Sequence, residues 1–161
     1  MKKIIIALFC CVSLVGCDDG KVAVPDNNFE RALIELDYDD LIDGYVLKSG
    51  IKNCKELDVR DKGISDLTGI EAFTYLENLR CDYNQLTNLN VSQNHALIRL
   101  NCSNNKLISL DISNNTYLEI LFCNNNQLTN LDFRYYNTAL QVINCTNNKF
   151  DCEALKAKYN L

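Results

Sequence analysis

From Leu76 onward the apolar residues recur about every 21 positions, and each unit repeats the same alternation of apolar and polar side chains. Leu76-Glu-Asn-Leu-Arg-Cys-Asp-Tyr-Asn-Gln-Leu, Leu97-Ile-Arg-Leu-Asn-Cys-Ser-Asn-Asn-Lys-Leu and Leu118-Glu-Ile-Leu-Phe-Cys-Asn-Asn-Asn-Gln-Leu align residue for residue, and a fourth unit opens Leu140-Gln-Val-Ile-Asn-Cys-Thr-Asn-Asn-Lys-Phe. The core of each unit, Leu-x-x-Leu-x-Cys, predicts a short strand with Leu and Cys pointing in and their neighbours pointing out. A unit this short cannot bury its own apolar side, so the units must stack and share one continuous interior. In the return segments, Leu89-Asn-Val-Ser-Gln-Asn94 and Leu110-Asp-Ile-Ser-Asn-Asn115, alternating apolar residues predict a second short strand or extended edge. A divergent first unit runs from Cys54 to Phe73, with Val59 where the others have Cys and Lys62 where they have Asn.

Flanking patterns predict caps. Pro25-Asp26 offers a helix start with Asp26 as N-cap, and Phe29, Ala32, Leu33 and Leu36 follow at helical spacing. Leu41, Ile42, Tyr45, Val46 and Leu47 read as a further short helix or turn. Residues 151–161 have helical composition, with Asp151 as N-cap and Leu155 facing in. The expected organisation is a leader over 1–16, a tether over 17–24, a helical cap over 25–53, about five repeats over 54–150 and a helical cap over 151–161.

The leader has Lys2 and Lys3 followed by an apolar run from Ile4 to Val15, of signal-peptide length and too short to span a membrane. It ends Leu14-Val15-Gly16-Cys17, which resembles the lipobox of bacterial lipoproteins. That resemblance implies cleavage before Cys17 and lipidation of Cys17. Asp18 and Asp19 after the Cys resemble, in different bacteria, either a surface-export or an inner-membrane signal.

Once Lys2 and Lys3 leave with the leader, the 16 basic and 21 acidic side chains of the whole chain become 14 and 21. An acidic chain argues against a nucleic-acid partner and against electrostatic docking on anionic lipid, so membrane association is expected through the N-terminal lipid only.

Nine Cys in a short exported chain would ordinarily indicate a disulfide framework. Cys81, Cys102, Cys123 and Cys145 instead share one repeat position, and Val occupies it in the first unit. The position therefore asks for a small apolar side chain. In-register thiols on parallel strands have nearly parallel Cβ vectors, which suit a disulfide poorly. A buried column of four free thiols is expected, with Cys54 and Cys152 available for pairing in the caps. Asn84, Asn105, Asn126 and Asn148 recur at the turn after each strand. An amide there has the donors and acceptor needed to satisfy a buried turn, so the column reads as a structural ladder.

The outward rows of the strands are Glu56, Asp58 and Arg60; Asn78, Arg80 and Asp82; Arg99, Asn101 and Ser103; Ile120, Phe122 and Asn124; Val142, Asn144 and Thr146. Ile120, Phe122 and Val142, bordered by Arg99, Asn101 and Asn144, form the candidate binding patch. Tyr135 and Tyr136 lie in a one-residue expansion of the repeat and read as a tolerated loop. His95 is the only His and lies in a return turn, so Cys–His nucleophilic catalysis lacks a base. Asp111 and Asp132 sit one per repeat without a dense oxygen cluster. No metal, no cofactor and no catalytic centre are expected.

The repeats have the spacing of a leucine-rich repeat. Together with the segment Val24-Pro-Asp-Asn-Asn-Phe-Glu-Arg-Ala-Leu-Ile, they resemble an internalin-like family of bacterial leucine-rich-repeat proteins. The resemblance implies an α/β solenoid, a right-handed coil with a parallel concave sheet, and helical N-terminal and C-terminal caps. It further implies protein–protein interaction or adhesion, with no catalysis. The reading is a monomeric, lipid-anchored binding module with a protein partner, in the cell envelope and displayed at the outer-membrane surface. A structural spacer or a glycan-binding accessory lipoprotein is the alternative.

Overall fold

The computed structural model describes residues 20–131 and 139–159. Five three-residue strands, β3 (Glu56–Asp58), β4 (Asn78–Arg80), β5 (Arg99–Asn101), β6 (Ile120–Phe122) and β7 (Val142–Asn144), pair in parallel in strict chain order. They follow a cap made of β1 (Lys21–Ala23), α1 (Asn27–Glu35), β2 (Tyr45–Leu47) and α2 (Lys48–Ile51), and they precede α3 (Cys152–Tyr159). The molecule is a right-handed leucine-rich-repeat solenoid with a parallel concave sheet.

The register explains the core. Leu57, Leu79, Leu100, Leu121 and Ile143 are directly opposed on successive strands and all are buried. Val59, Cys81, Cys102, Cys123 and Cys145 form the next inward row, each without solvent exposure. Leu86, Leu107 and Leu128 continue the interior behind the turns, and Leu76, Leu97, Leu118 and Leu140 lead into the strands. The return segments bury Leu89, Val91, Leu110 and Ile112 as their alternation predicts, yet they form no strand. Each of these returns is bent by tight turns, and Asn94 and Asn115 hold neighbouring coils together there through side chains in place of a backbone ladder.

Both asparagine columns work in one direction. Asn84 Oδ1 accepts from Lys62 N (3.1 Å) and Ile64 N (3.0 Å) of the coil before, while its amide donates to Val59 O (2.8 Å) of that coil and Cys81 O (3.1 Å) of its own. Asn105 serves Leu86 N and Cys81 O in the same way, Asn126 serves Leu107 N and Cys102 O, and Asn148 serves Leu128 N and Cys123 O. Asn94 Nδ2 likewise donates to Ile70 O and Phe73 O, and Asn115 Nδ2 to Val91 O and Asn94 O. The first coil has no coil before it. Lys62 and Phe73 therefore stand where later coils carry asparagine, and Asn28 of α1 donates to Gly63 O instead.

The N-terminal cap differs from its sequence reading in two places. Residues 21–23, expected in the tether, form β1, and Val24 is fully buried. Residues 45–47, read as helix or turn, form β2, antiparallel to β1 with Val46 facing in. The hairpin is possible because Gly69 admits it: a Cβ there would lie 2.7 Å from Ala23 O, and its φ of 104° suits glycine alone. Asp26 caps α1 through Asn28 N (2.9 Å) and Phe29 N (3.1 Å). Its other oxygen accepts from Ser65 N, Ser65 Oγ and Asp66 N, tying the cap to the first coil. Buried Glu30 accepts from the backbone N–H groups of Asp43, Gly44 and Tyr45, which fixes the loop into β2.

Candidate functional site

The parallel sheet brings the six patch residues together in two in-register rows. Arg99, Ile120 and Val142 are direct neighbours across β5, β6 and β7, and Asn101, Phe122 and Asn144 form the adjacent row. Adjacent members lie about 4.8 Å apart, the spacing of paired strands. Phe122 (36% exposed) and Val142 (45%) stand open to solvent, and Ile120 is half-buried between them. Arg99 is exposed and donates to Asn78 Oδ1 (3.3 Å).

Phe122 occupies a position with another use in the neighbouring coils. Asn101 Oδ1 accepts from Ser103 N and Oγ, Asn144 Oδ1 from Thr146 N and Oγ1, and Asp58 Oδ1 from Arg60 N. These bonds close the turn after the strand. A phenyl ring has no oxygen to offer, so Phe122 gives up that turn bond and presents an aromatic face at the middle of the row.

The N-terminal half of the same face is a charge network. Asp58 pairs with Arg60 Nε (3.4 Å) and Arg80 Nη1 (3.6 Å), and Arg80 Nε lies 3.8 Å from Asp82. These residues, with Leu36, Asp61, Lys62 and Tyr83, line an open depression of about 820 Å³. Tyr83 holds a left-handed φ of 56°, as do Asn104, Asn125 and Asn147 at the same place in later coils. That conformation favours Asn over Tyr. Tyr83 stands one position before the Asn84 column, where the other coils carry Asp61, Asn104, Asn125 and Asn147, and the reading of outward rows missed the depression it lines. Asp82 and Ser103, placed in those rows, are buried. The strands end two residues earlier, so strand alternation does not extend to them.

The cysteine column needs one correction. Cys81, Cys102 and Cys123 are free and buried, and so is Cys54. Cys145, expected as a free thiol, is bonded to Cys152, with a Cα–Cα distance of 5.6 Å. Parallel Cβ vectors disfavour bridges between strands, but α3 turns back over the last coil and brings Cys152 in from the cap at a workable separation. Burial raises the pKa of all four free thiols, Cys123 up to about 12, so they stay protonated and unreactive at neutral pH. Among the described residues, no group of three or more His, Cys, Asp or Glu side chains is placed to hold a metal ion. His95 is exposed, with Nδ1 3.4 Å from Asn114 O. Cys17, Asp132, Tyr135 and Tyr136 lie outside the described residues.

No protein-family model matches the chain. A stretch of 73 residues is 38% identical to internalin J of Listeria monocytogenes serotype 4b (strain F2365), covering 44% of this chain and 8% of that protein. The fold is similar to the functional domain of InlJ from Listeria monocytogenes, which is described as including a cysteine ladder. The TM-score is 0.71 at 33% identity, over 80% of this chain and 29% of that one. An internalin (InlF) from the same species matches with a TM-score of 0.68 at 20% identity, over 83% of this chain and 47% of that one, a likeness of fold alone. This chain thus spans well under two thirds of the length of each of these relatives.

Proposed function

We propose that this internalin-like leucine-rich-repeat chain is a binding module that takes a protein partner on its concave sheet, centred on Phe122, and is held at the bacterial cell surface by acyl chains on Cys17. The observation that carries the first part is the row Asn101, Phe122, Asn144. Three coils use this position to close a turn, and β6 uses it to expose an aromatic ring beside Ile120 and Val142. An apolar centre rimmed by Arg99 and by amides has the make-up of an interaction hot spot. Adhesion or protein–protein interaction is also the role that the internalin-like fold supports.

The anchor rests on the order of charge, apolar run, small residue and Cys17 at the N-terminus. No helix among the described residues is long and apolar enough to cross a membrane. In this reading the module performs no catalysis, and its partner is neither a nucleic acid nor an anionic lipid surface.

Crosslinking on living cells, with the intact chain and with Phe122→Ala combined with Ile120→Ser, tests the patch. The double variant should stay folded and lose the captured protein. Equal capture by both would remove the patch from the site. Proteolysis of intact cells tests the surface location separately.

A further inference from the structure

Three of the exposed apolar side chains of the N-terminal cap gather away from the concave face. Tyr45 and Leu47 flank buried Val46 on β2, so both project from the outer side of the β1–β2 hairpin. Leu41, from the loop before, joins them around a depression of about 170 Å³. They are 58% (Leu41), 47% (Tyr45) and 51% (Leu47) exposed. Grouped large apolar side chains on so small a surface mark a contact.

The path of the chain indicates what they contact. Lys48 N donates to Gly20 O (2.6 Å), which pins the start of β1 beside Leu47. The segment expected to be a tether through residue 24 is strand from Lys21. Three Cα–Cα steps separate Gly20 from Cys17, a reach of about 11 Å at full extension. On the reading that Cys17 carries acyl chains, the hairpin is therefore confined to the membrane surface.

The geometry points to a second membrane contact: the outer face of the β1–β2 hairpin, through Leu41, Tyr45 and Leu47, rests in the interfacial layer of the lipid that holds Cys17 and sets the tilt of the solenoid. Tyrosine suits that layer because its ring is apolar and its hydroxyl stays wet. Lys21, opposite Leu47 in the hairpin, lies 5.4 Å from the Tyr45 ring and pairs with Asp43 (3.7 Å), which holds a charged pair at the rim of the apolar group. Asp39, Asp40 and Asp43 rim the same depression, so a zwitterionic lipid surface is favoured over an anionic one. The contact rests on the lipid-anchor reading, and the experiment separates the two.

The chain contains no tryptophan, so a single Trp reports alone. The mature lipidated protein is reconstituted in phosphatidylcholine vesicles with brominated acyl chains, as Tyr45→Trp and, for reference, as Tyr117→Trp, a 67%-exposed site in the repeats. Mass spectrometry establishes the acyl groups on Cys17. Quenching should be roughly twofold or more stronger at position 45 than at position 117, as for a side chain buried at the acyl boundary. Adding Leu41→Asp and Leu47→Asp to Tyr45→Trp should abolish that difference while the protein stays on the vesicles. Equal quenching at 45 and 117 in acylated protein overturns the second contact alone. Absence of acyl mass on Cys17 overturns the anchor and this contact together.

Discussion

The two ends of the array solve one problem by different means. At the N-terminus, residues 20–54 cover the first coil with a helix and a hairpin, and bury Val24, Phe29, Ala32, Leu33, Val46 and Ile51 against it. Asp26 and Glu30 then fix that cover with eight hydrogen bonds to backbone or hydroxyl groups. After the last coil, α3 is eight residues long and Cys152 is its one buried residue, with Leu155 and Tyr159 half-buried. A helix this short is marginal by itself. Here the Cys145–Cys152 bond ties it to the last coil. The N-terminal cover thus packs on a core of its own, whereas α3 is joined to the last coil by a covalent bond.

That contrast predicts a graded response. Phe29→Ala should cost most, about 3–5 kcal/mol, because it empties the centre of a packed cap. The loss should appear as a lower midpoint for unfolding of the whole domain. Asn105→Leu comes next. It orphans Leu86 N and strips one of the two asparagine donors from Cys81 O and from Cys102 O inside the stack, at about 2–3 kcal/mol, with coils on both sides loosened in hydrogen exchange. Cys152→Ser should cost about 2.5 kcal/mol, the chain-entropy value for a loop closed by a separation of 7 residues. Its effect should be confined to amides of α3 and β7, with the N-terminal cap unchanged. Spread of that loosening to residues 27–35 would show that the ends are coupled.

The smallest effect concerns acid. Burial pushes the Asp26 carboxyl up, but hydrogen bonds from Ser65, Phe29 and Asp66 outweigh it and hold the pKa below the usual value. A carboxylate lowered on folding stabilises fully above its unfolded-state pKa and loses that contribution as pH falls through its folded-state pKa. Acidification across that window should therefore weaken the natural protein more than Asp26→Asn. Parallel titrations of the two by denaturant midpoint would contradict this attribution.

The sequence disclosed the array because one chemical demand is repeated. Each inward Leu and Cys meets the same environment in every coil, so the pattern can be read by superposing the units. The caps carry no repetition. Asp26 is legible because a helix N-cap is a local event, but β2 is not. Tyr45-Val46-Leu47 alternates over three residues only, and its strand character comes from pairing with Lys21–Ala23, some two dozen positions away. The disulfide was hidden for a related reason. Cys145 looks like every other member of its column, and only the return of α3 distinguishes it. On the concave face, the patch around Phe122 followed from strand alternation. Burial of Asp82 did not, because alternation lapses where the strand stops.

The one-way service of the asparagines gives the stack a polarity of failure. Removing a coil from the front leaves the remaining turns filled, because each is filled from behind. Peeling a coil from the back strips the amides from the turn ahead of it, which then becomes the next to open. Damage beginning at the rear should travel forward like a run in knitted fabric, and the covalent clasp of the molecule sits at the stitch where such a run would start.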